Sequence, residues 1–234
     1  MRKAILLTAV LGLGLAGTAL AAHRSTPAAV DPSNFVRHVT NPWFPLKPGT
    51  VLVYKGVKDG ERQTDRVTVT HRTKTIEGVR TTVVHDVATH KGHLLEATYD
   101  YYAQDKQGTV WYFGEDTKSY ENGHVSTEGS WMSGRNNARP GIIMPAKPAV
   151  TDAYRQEFLQ GHAEDQAWIV AVNATAKTPF ATFHPALKTF EWSRLEPGVI
   201  DEKDYGRGVG IAREVSRTGP METSILVHVH RPAR

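Results

Sequence analysis

The chain has 234 residues, of which 40% are hydrophobic and 22% are charged, and its formal net charge at pH 7 is +4. This composition is that of a soluble globular protein and excludes a disordered or fibrous chain. The sequence contains no cysteine, which excludes disulfides, thiolate metal sites, thiol nucleophiles and a lipid-anchored N-terminal cysteine.

The N-terminal segment has the three parts of a secretory signal peptide. Arg2 and Lys3 form a positive start, residues 4–16 are apolar but short for a bilayer span, and Ala19-Leu20-Ala21 matches an A-x-A cleavage site. We predict a signal peptide over residues 1–21 and a mature chain that starts near Ala22. The mature protein is then periplasmic or secreted, without stable membrane insertion. Its net charge is lower by two, which gives little support to nucleic-acid binding.

Two segments precede the main run of strand patterns. Residues 22–33 are rich in Ala, Pro and Ser and predict a flexible lead-in. Residues 41–50 contain three prolines, which exclude both a helix and a ladder strand. We expect this segment to be extended and to lay Trp43 and Phe44 onto the core. The only candidate helix covers residues 31–38.

The remaining chain predicts strands at short intervals. Period-two alternation and turn residues mark strands at residues 51–54, 65–71, 79–87, 94–103, 109–113, 154–159, 167–174, 187–192, 199–204, 210–215 and 222–230. Residues 120–148 are rich in Gly, Asn, Pro and Ser and predict one long irregular, packed loop. We therefore predict a single all-β domain over residues 34–234. It is an antiparallel meander that forms a curved, partly closed sheet or barrel.

Six motifs together resemble an uncharacterised family of exported, β-rich bacterial proteins. They are NPWFPLKPGT at 41–50, DYYAQD at 100–105, GTVWYFGE at 108–115, PGIIMP at 140–145, LEPG at 195–198 and GVGI at 208–211. The resemblance covers most of the predicted mature chain and implies an exported β protein, but no activity. More loosely, a long meander after a signal peptide is similar to periplasmic half-barrel carriers of lipids and lipoproteins.

The predicted hairpin around residues 105–108 carries the candidate site. With a four-residue loop, Tyr102 lies opposite Trp111, Asp100 opposite Phe113, and Thr98 opposite Glu115. Paired residues share a face of the sheet. Three carboxylates and three aromatic side chains on one face suit neither a dry core nor a plain solvated surface, so we predict a ligand-binding cleft. Its residues are Glu96, Asp100, Tyr102, Trp111, Phe113 and Glu115. An outer sheet face remains the alternative.

This face favours a non-enzymatic binding protein for a small or lipid-like ligand, with no catalytic residue, cofactor or metal. Two alternatives stay open. Asp100 and Glu115 can form the carboxylate pair of a hydrolase, since glycosidases use carboxylates ~5–10 Å apart. The second alternative is a metal-binding exported protein, because His85, His90 and His93 can bind Cu(II) or Zn(II) through imidazole.

Overall fold

The structure is a computed structural model that describes residues 30–58, 60–121 and 123–232. The predicted signal peptide and most of the predicted lead-in lie outside the described residues. The candidate helix is reduced to one 3-10 turn, Pro32–Asn34. The strands are β1 (Phe35–Val36), β2 (Val51–Lys58), β3 (Glu61–Ile76), β4 (Val79–His90), β5 (His93–Asp105), β6 (Val110–Glu121), β7 (His124–Ser126), β8 (Trp131–Met132), β9 (Arg139–Met144), β10 (Ala153–Arg155), β11 (Glu157–Phe158), β12 (Asp165–Lys177), β13 (Thr182–Ser193), β14 (Ile200–Gly206), β15 (Gly210–Thr218) and β16 (Glu222–His230).

The strands form one antiparallel sheet that is nearly closed into a barrel. Their order is β10-β12-β13-β14-β15-β16-β2-β3-β4-β5-β6-β9-β11, so most neighbours are also consecutive in the chain. β10 pairs with β12, β11 pairs with β9, and only Gln156 separates β10 from β11. Residues 153–158 therefore link the two ends of the sheet. The predicted all-β antiparallel meander, partly closed into a barrel, is confirmed.

The proline-rich segment closes one end of the barrel. Trp43, Phe44 and Leu46 are buried, and they pack against apolar side chains of strands as far apart in the sheet as β3 and β13. Side chains on such distant strands can share one cluster only inside the barrel. We call residues 39–46 the plug. The prediction that Trp43 and Phe44 lie on the core is confirmed.

Hydrogen bonds fix the plug to the β5–β6 hairpin. Asn41 Nδ2 donates to the carbonyl oxygens of Gly108 (2.9 Å) and Pro145 (3.1 Å). Its Oδ1 accepts from the Trp43 amide at 2.9 Å. Gln104 Oε1 accepts from the amide of Asn41 at 2.7 Å. These contacts join four of the motifs that carry the family resemblance, which gives those motifs a structural role at the closed end.

A second apolar cluster lies outside the barrel. Phe113 and Tyr101 are buried there with residues of the β3–β4 hairpin, and Phe35 and Trp111 pack against them. Phe35 contacts Phe113 edge-on, with ring centroids 5.5 Å apart. β1 pairs with β5 and so holds Phe35 over this face. In the part of the chain that the structure describes, no helix is long and apolar enough to cross a membrane.

Residues 120–148 contain more regular structure than the predicted loop. β7 and β8 pair with successive parts of β6, and β9 continues the sheet beside it. These strands are not visible in the composition of the segment, because they have only two to six residues each and contain many turn-forming residues. The stretch between β8 and β9, residues 133–138, remains irregular.

Candidate functional site

The β5–β6 hairpin has a different register from the predicted one. Its loop comprises residues 105–109, and Asp105 Oδ1 accepts a hydrogen bond from the Thr109 amide at 2.9 Å. Tyr102 consequently pairs with Tyr112, so the predicted pairing of Tyr102 with Trp111 is wrong. A slip of one residue sends a side chain to the opposite face of its strand.

A β-bulge at Gly114 then shifts the register once more. Asp100 pairs with Glu115. Between this pair and the pair of Tyr102 with Tyr112, β5 has one residue and β6 has two. Gly114 has a φ of 128°, and a Cβ there would lie 2.3 Å from the carbonyl oxygen of Trp131. Only glycine fits this position. The bulge therefore places Tyr112 and Glu115 on one face although they are three residues apart.

The face predicted to bind ligand is divided between the two sides of the sheet. Trp111 and Phe113 belong to the outer cluster, and Trp111 Nε1 donates to Asp105 Oδ2 at 2.9 Å. The predicted pairings of Asp100 with Phe113 and of Thr98 with Glu115 are wrong because of the longer loop and the bulge. The four predicted site residues that remain together on the inner face are Glu96, Asp100, Tyr102 and Glu115. Tyr112 lies on the same face.

Acidic side chains from the other strands meet this face inside the barrel. The alternation of each strand directs them inward, and they alter one another's pKa values. In the described residues they outnumber the lysines on the same face, Lys58 and Lys203. Beyond the hairpin, the inward acidic residues are Asp65, Asp86, Glu157, Asp165, Glu191, Glu214 and Glu222.

Lys203 forms the central ion pair of the interior. Its Nζ lies 2.9 Å from Glu191 Oε2 and 3.6 Å from Glu214 Oε1. Glu191 Oε1 also accepts hydrogen bonds from the hydroxyls of Thr189 (2.7 Å) and Tyr205 (2.9 Å). Burial acts to raise the pKa of Glu191, but Lys203 and the hydrogen bonds hold it below its usual value. The Glu191 carboxylate is thus fully satisfied by its own chain.

Four of the other carboxyls that face the interior have raised pKa values instead. Burial raises the pKa of Asp100 to about 7, although Tyr112 Oη donates to its Oδ1 at 2.7 Å. Burial, with Asp100 and Glu157, raises the pKa of Glu115 to about 9. Burial and Asp165 raise the pKa of Glu157 to about 8. Burial also raises the pKa of Asp165, against the effect of Lys203. We call Asp100, Glu115, Glu157 and Asp165 the acidic site.

Aromatic side chains form a wall beside the acidic site. Tyr102 and Tyr112 stack with ring centroids 4.7 Å apart, and Trp131 meets Tyr112 edge-on at 5.4 Å. Trp131 pairs across the strands with Glu115 and lies beside the Glu157 carboxyl. The Trp131 side chain is buried, with the residue only 3% exposed, and its Nε1 has no hydrogen-bond partner among the described residues.

A cavity of about 240 Å³ opens next to the acidic site. Side chains of β2, β3, β4, β5, β15 and β16 line it, so it lies at the end of the barrel away from the plug. Asp86 lines the cavity, and its cross-strand partner Thr98 is next to Asp100 on the inner face of β5. The cavity and the acidic site therefore adjoin. The acidic residues of the lining are Asp65, Asp86, Glu96, Glu214 and Glu222.

The predicted histidine trio does not form a site. His85 stacks on Tyr99 with ring centroids 4.3 Å apart, on the outer face. His90 and His93 pair with each other at the far end of the β4–β5 hairpin, five or more residues along the strand. Within residues 30–58, 60–121 and 123–232, no group of three or more His, Asp or Glu side chains is placed to hold a metal ion.

Sequence reasoning missed three residues of this region. Lys203 lies in the charged run 201–204, which is typical of a solvated strand edge. Glu157 follows a buried Gln156, and Trp131 lies in the segment predicted as a loop. The sequence around each of them gives no sign of a site. β8 pairs with β6 and β11 follows β9 on the same side of the sheet, whereas the closure of the sheet brings β14 opposite β5 and β6.

Two solved structures resemble this fold. A predicted exported protein with a YmcC-like fold, from Bacteroides fragilis, has a TM-score of 0.50 and 13% identity over 80% of this chain and 98% of its own. A predicted lipoprotein from Parabacteroides distasonis has a TM-score of 0.44 and 14% identity over 81% of this chain and 99% of its own. The similarity to the Bacteroides fragilis protein shows a shared fold and nothing beyond it. The chain is thus an all-β protein similar in fold to a YmcC-like protein.

No protein-family model and no curated protein sequence matches the chain significantly. The resemblance to exported, β-rich proteins is therefore supported at the level of the fold.

Proposed function

We propose that the protein is an exported, non-enzymatic binding protein that holds a small polar ligand in the open half of the barrel. The observation that carries this proposal is the cavity of about 240 Å³ beside the acidic site. Binding sites are concave and use a few converging polar groups to orient the ligand. A cavity of this size suits a small molecule, and its polar lining does not favour a lipid chain.

The plug supports the same proposal, because it leaves the barrel with one apolar, filled end and one polar end. Trp43, Phe44 and Leu46 occupy the first. In the part of the chain that the structure describes, the end lined by Asp86, Glu96 and their neighbours offers a ligand a way in. The barrel then serves as a rigid container, which needs no catalytic residue.

The test is native mass spectrometry of the mature protein purified from its own host. We expect an added mass that denaturation releases. Ala88 lines the cavity, so Ala88→Phe should fill it and remove the added mass. Ala97→Phe is the matched control, because Ala97 lies on the neighbouring strand with the opposite orientation. Wild-type protein without added mass, or added mass that persists in Ala88→Phe, would contradict the proposal.

Export is part of the proposal. The signal-peptide pattern of residues 1–21 supports it, as does the description of the Bacteroides fragilis neighbour as an exported protein. We expect a periplasmic or secreted protein whose N-terminus is at or within about two residues of Ala22, since cleavage follows the A-x-A series. N-terminal sequencing of the exported fraction checks this. An intact Met1 on cytoplasmic protein would exclude it.

A hydrolase remains the second candidate, and a specific observation favours it. Asp100 and Glu115 are direct cross-strand partners, which puts their Cβ atoms ~5 Å apart. Their pKa values of about 7 and about 9 differ, as is expected of a base and an acid. Chromogenic glycosides test it. Turnover that Asp100→Asn abolishes would establish the hydrolase, and absence of turnover would leave the binding protein.

A further inference from the structure

The protein contains a second charged cluster, on the outer face of β13–β15. It shows how this fold pairs buried carboxylates with cations, and the acidic site can be compared with it. Glu202 and Asp204 are buried there. Lys188 Nζ lies 2.5 Å from Glu202 Oε1, and Arg213 Nη1 lies 3.1 Å from Asp204 Oδ2. Arg217 Nη2 lies 2.5 Å from Glu202 Oε2. Where this fold buries carboxylates for structure alone, the same chain supplies the cations.

The acidic site is built in the opposite way. Among the described residues, Lys203 is the cation closest to it, and Lys203 is already paired with Glu191. No ion pair within the described residues involves Asp100, Glu115 or Glu157. Asp100, Glu115 and Glu157 are half-buried, so each carboxylate loses part of its hydration, and a positive group compensates that loss. The electrostatics of the site thus fit a positively charged guest.

Trp131 gives an independent indication of a ligand. A buried indole N–H normally finds an acceptor, yet Nε1 of Trp131 makes no hydrogen bond of normal geometry among the described residues, and the Glu157 carboxyl is the acceptor beside it. Trp131 also pairs with Glu115 across the strands, so its N–H belongs to the acidic site. A guest that satisfies this N–H must offer an oxygen acceptor besides its positive charge.

Two further observations favour an organic cation over a metal ion as the positively charged guest. The described side chains do not form a group of three that can hold a metal. The Tyr102 and Tyr112 rings lie beside the acidic site, and aromatic rings attract ammonium groups. The lining of the adjoining cavity also contains neutral hydrogen-bonding groups, among them Gln63 and Ser224.

We propose that the acidic site and the adjoining cavity bind a hydroxylated amine, whose ammonium group pairs with Asp100, Glu115 and Glu157 and whose hydroxyl oxygen accepts from Trp131 Nε1. The proposal rests on the proposed binding function and names the ligand class. Because these carboxyls have raised pKa values, binding at neutral pH must displace protons from them.

Isothermal titration of the mature protein with three matched probes tests the inference. 1,3-Diamino-2-propanol has two amines and a hydroxyl, 1,3-diaminopropane lacks the hydroxyl, and glycerol lacks the charge. We expect affinity to fall in that order, with at least about a tenfold loss for glycerol, since charged hydrogen bonds are the stronger ones. We also expect proton release, seen as a dependence of the heat on the buffer.

Three variants place the binding at the acidic site. Glu115→Gln should weaken binding of 1,3-diamino-2-propanol about tenfold. Asp116→Asn is its control, because Asp116 is exposed on the opposite face of the same strand and loses the same charge. Trp131→Phe removes the N–H and keeps an aromatic ring, so it should abolish the preference for the hydroxylated diamine. A loss of folding in these variants is detected by circular dichroism.

The outcomes separate this inference from the proposed function. Equal binding of glycerol and the diamines, equal effects of Glu115→Gln and Asp116→Asn, or tighter binding of Mg²⁺ than of the diamines would overturn the hydroxylated amine. If native mass spectrometry then shows a neutral or anionic retained molecule, the binding function stands without it. If no molecule is retained and no probe binds, both proposals fail. Should Glu115→Gln not fold, Trp131→Phe decides alone.

Discussion

The two ends of the barrel use polar groups in opposite ways. At the plug, Asn41 makes hydrogen bonds through its side-chain nitrogen and oxygen, and Gln104 accepts from the backbone beside it. At the acidic site, Glu115 and Asp100 face each other, and burial raises their pKa values. A polar group that is fully satisfied fixes a structure, whereas a buried group that is not satisfied costs stability. The difference supports a structural role for the plug and supports our proposal that the acidic site binds a ligand.

The largest effect is expected from the ion pair between the two ends. Lys203→Met leaves Glu191 buried beside a neutral side chain, and breaking a buried pair in this way costs about 3–5 kcal/mol. Lys58→Met is the control, because the Lys58 side chain is 52% exposed, and such pairs contribute about 0–1 kcal/mol. Urea unfolding measures both. Equal losses would show that Lys203 is not the electrostatic centre of the interior.

The bulge that builds the acidic site should be nearly as sensitive. Gly114→Ala puts a Cβ against the Trp131 carbonyl at a φ of 128°, and we expect a loss of roughly 2–4 kcal/mol. Gly198→Ala has a φ of 88° and meets no atom within 4 Å, so it should cost only about 1–2 kcal/mol. Thermal and urea unfolding compare the two variants. Wild-type stability of Gly114→Ala would disprove this account of the register.

The plug is expected to show a smaller, purely structural effect. Asn41→Ala leaves the carbonyls of Gly108 and Pro145 without their donor, which should cost about 1–3 kcal/mol. Asn173→Ala, at an exposed position of β12, is the control and should change stability by less than about 0.5 kcal/mol. Ligand retention should be the same in both. A variant at Asn41 that folds normally but loses ligand would remove the contrast between the two ends.

The acidic site also predicts the direction in which stability depends on pH. The folded-state pKa values of Asp100, Glu157 and Glu115, about 7, 8 and 9, lie above those of the unfolded chain. Between the two sets of values the folded protein holds more protons. The free energy of unfolding therefore falls as pH rises from about 5 to about 9, by at most ~1.4 kcal/mol per pH unit for each proton. Glu191 has the opposite effect on stability. Because its pKa is lowered, its contribution to the free energy of unfolding is lost as the pH falls into the acid range.

Glu115→Gln should make this fall shallower, because one group with a raised pKa is removed. Asp116→Asn should leave the slope unchanged. Urea titrations at a series of pH values measure the slopes. Stability that rises from pH 5 to pH 9 would contradict the raised pKa values of the acidic site.

The site itself could be predicted in part. The sequence places Glu96, Asp100 and Tyr102 at alternate positions of one strand, and the structure keeps them on one face. It assigns Trp111 instead of Tyr112 to that face, because a loop of five residues and one of four differ only in local hydrogen bonds such as that of Asp105. A one-residue error at the turn reverses every side chain that follows.

The sequence by itself determines the strands and their meander, because alternation and turn residues act over a few neighbouring positions. It also determines the burial of Trp43 and Phe44, since prolines exclude the alternatives for their segment. Only the tertiary structure decides that Glu157, Trp131 and Lys203 face the β5–β6 hairpin. Trp131 reaches it through the pairing of β8 with β6, Glu157 through β9, and Lys203 through the closure of the sheet at residues 153–158. Such contacts depend on the register of many strands at once, and no local pattern carries that information.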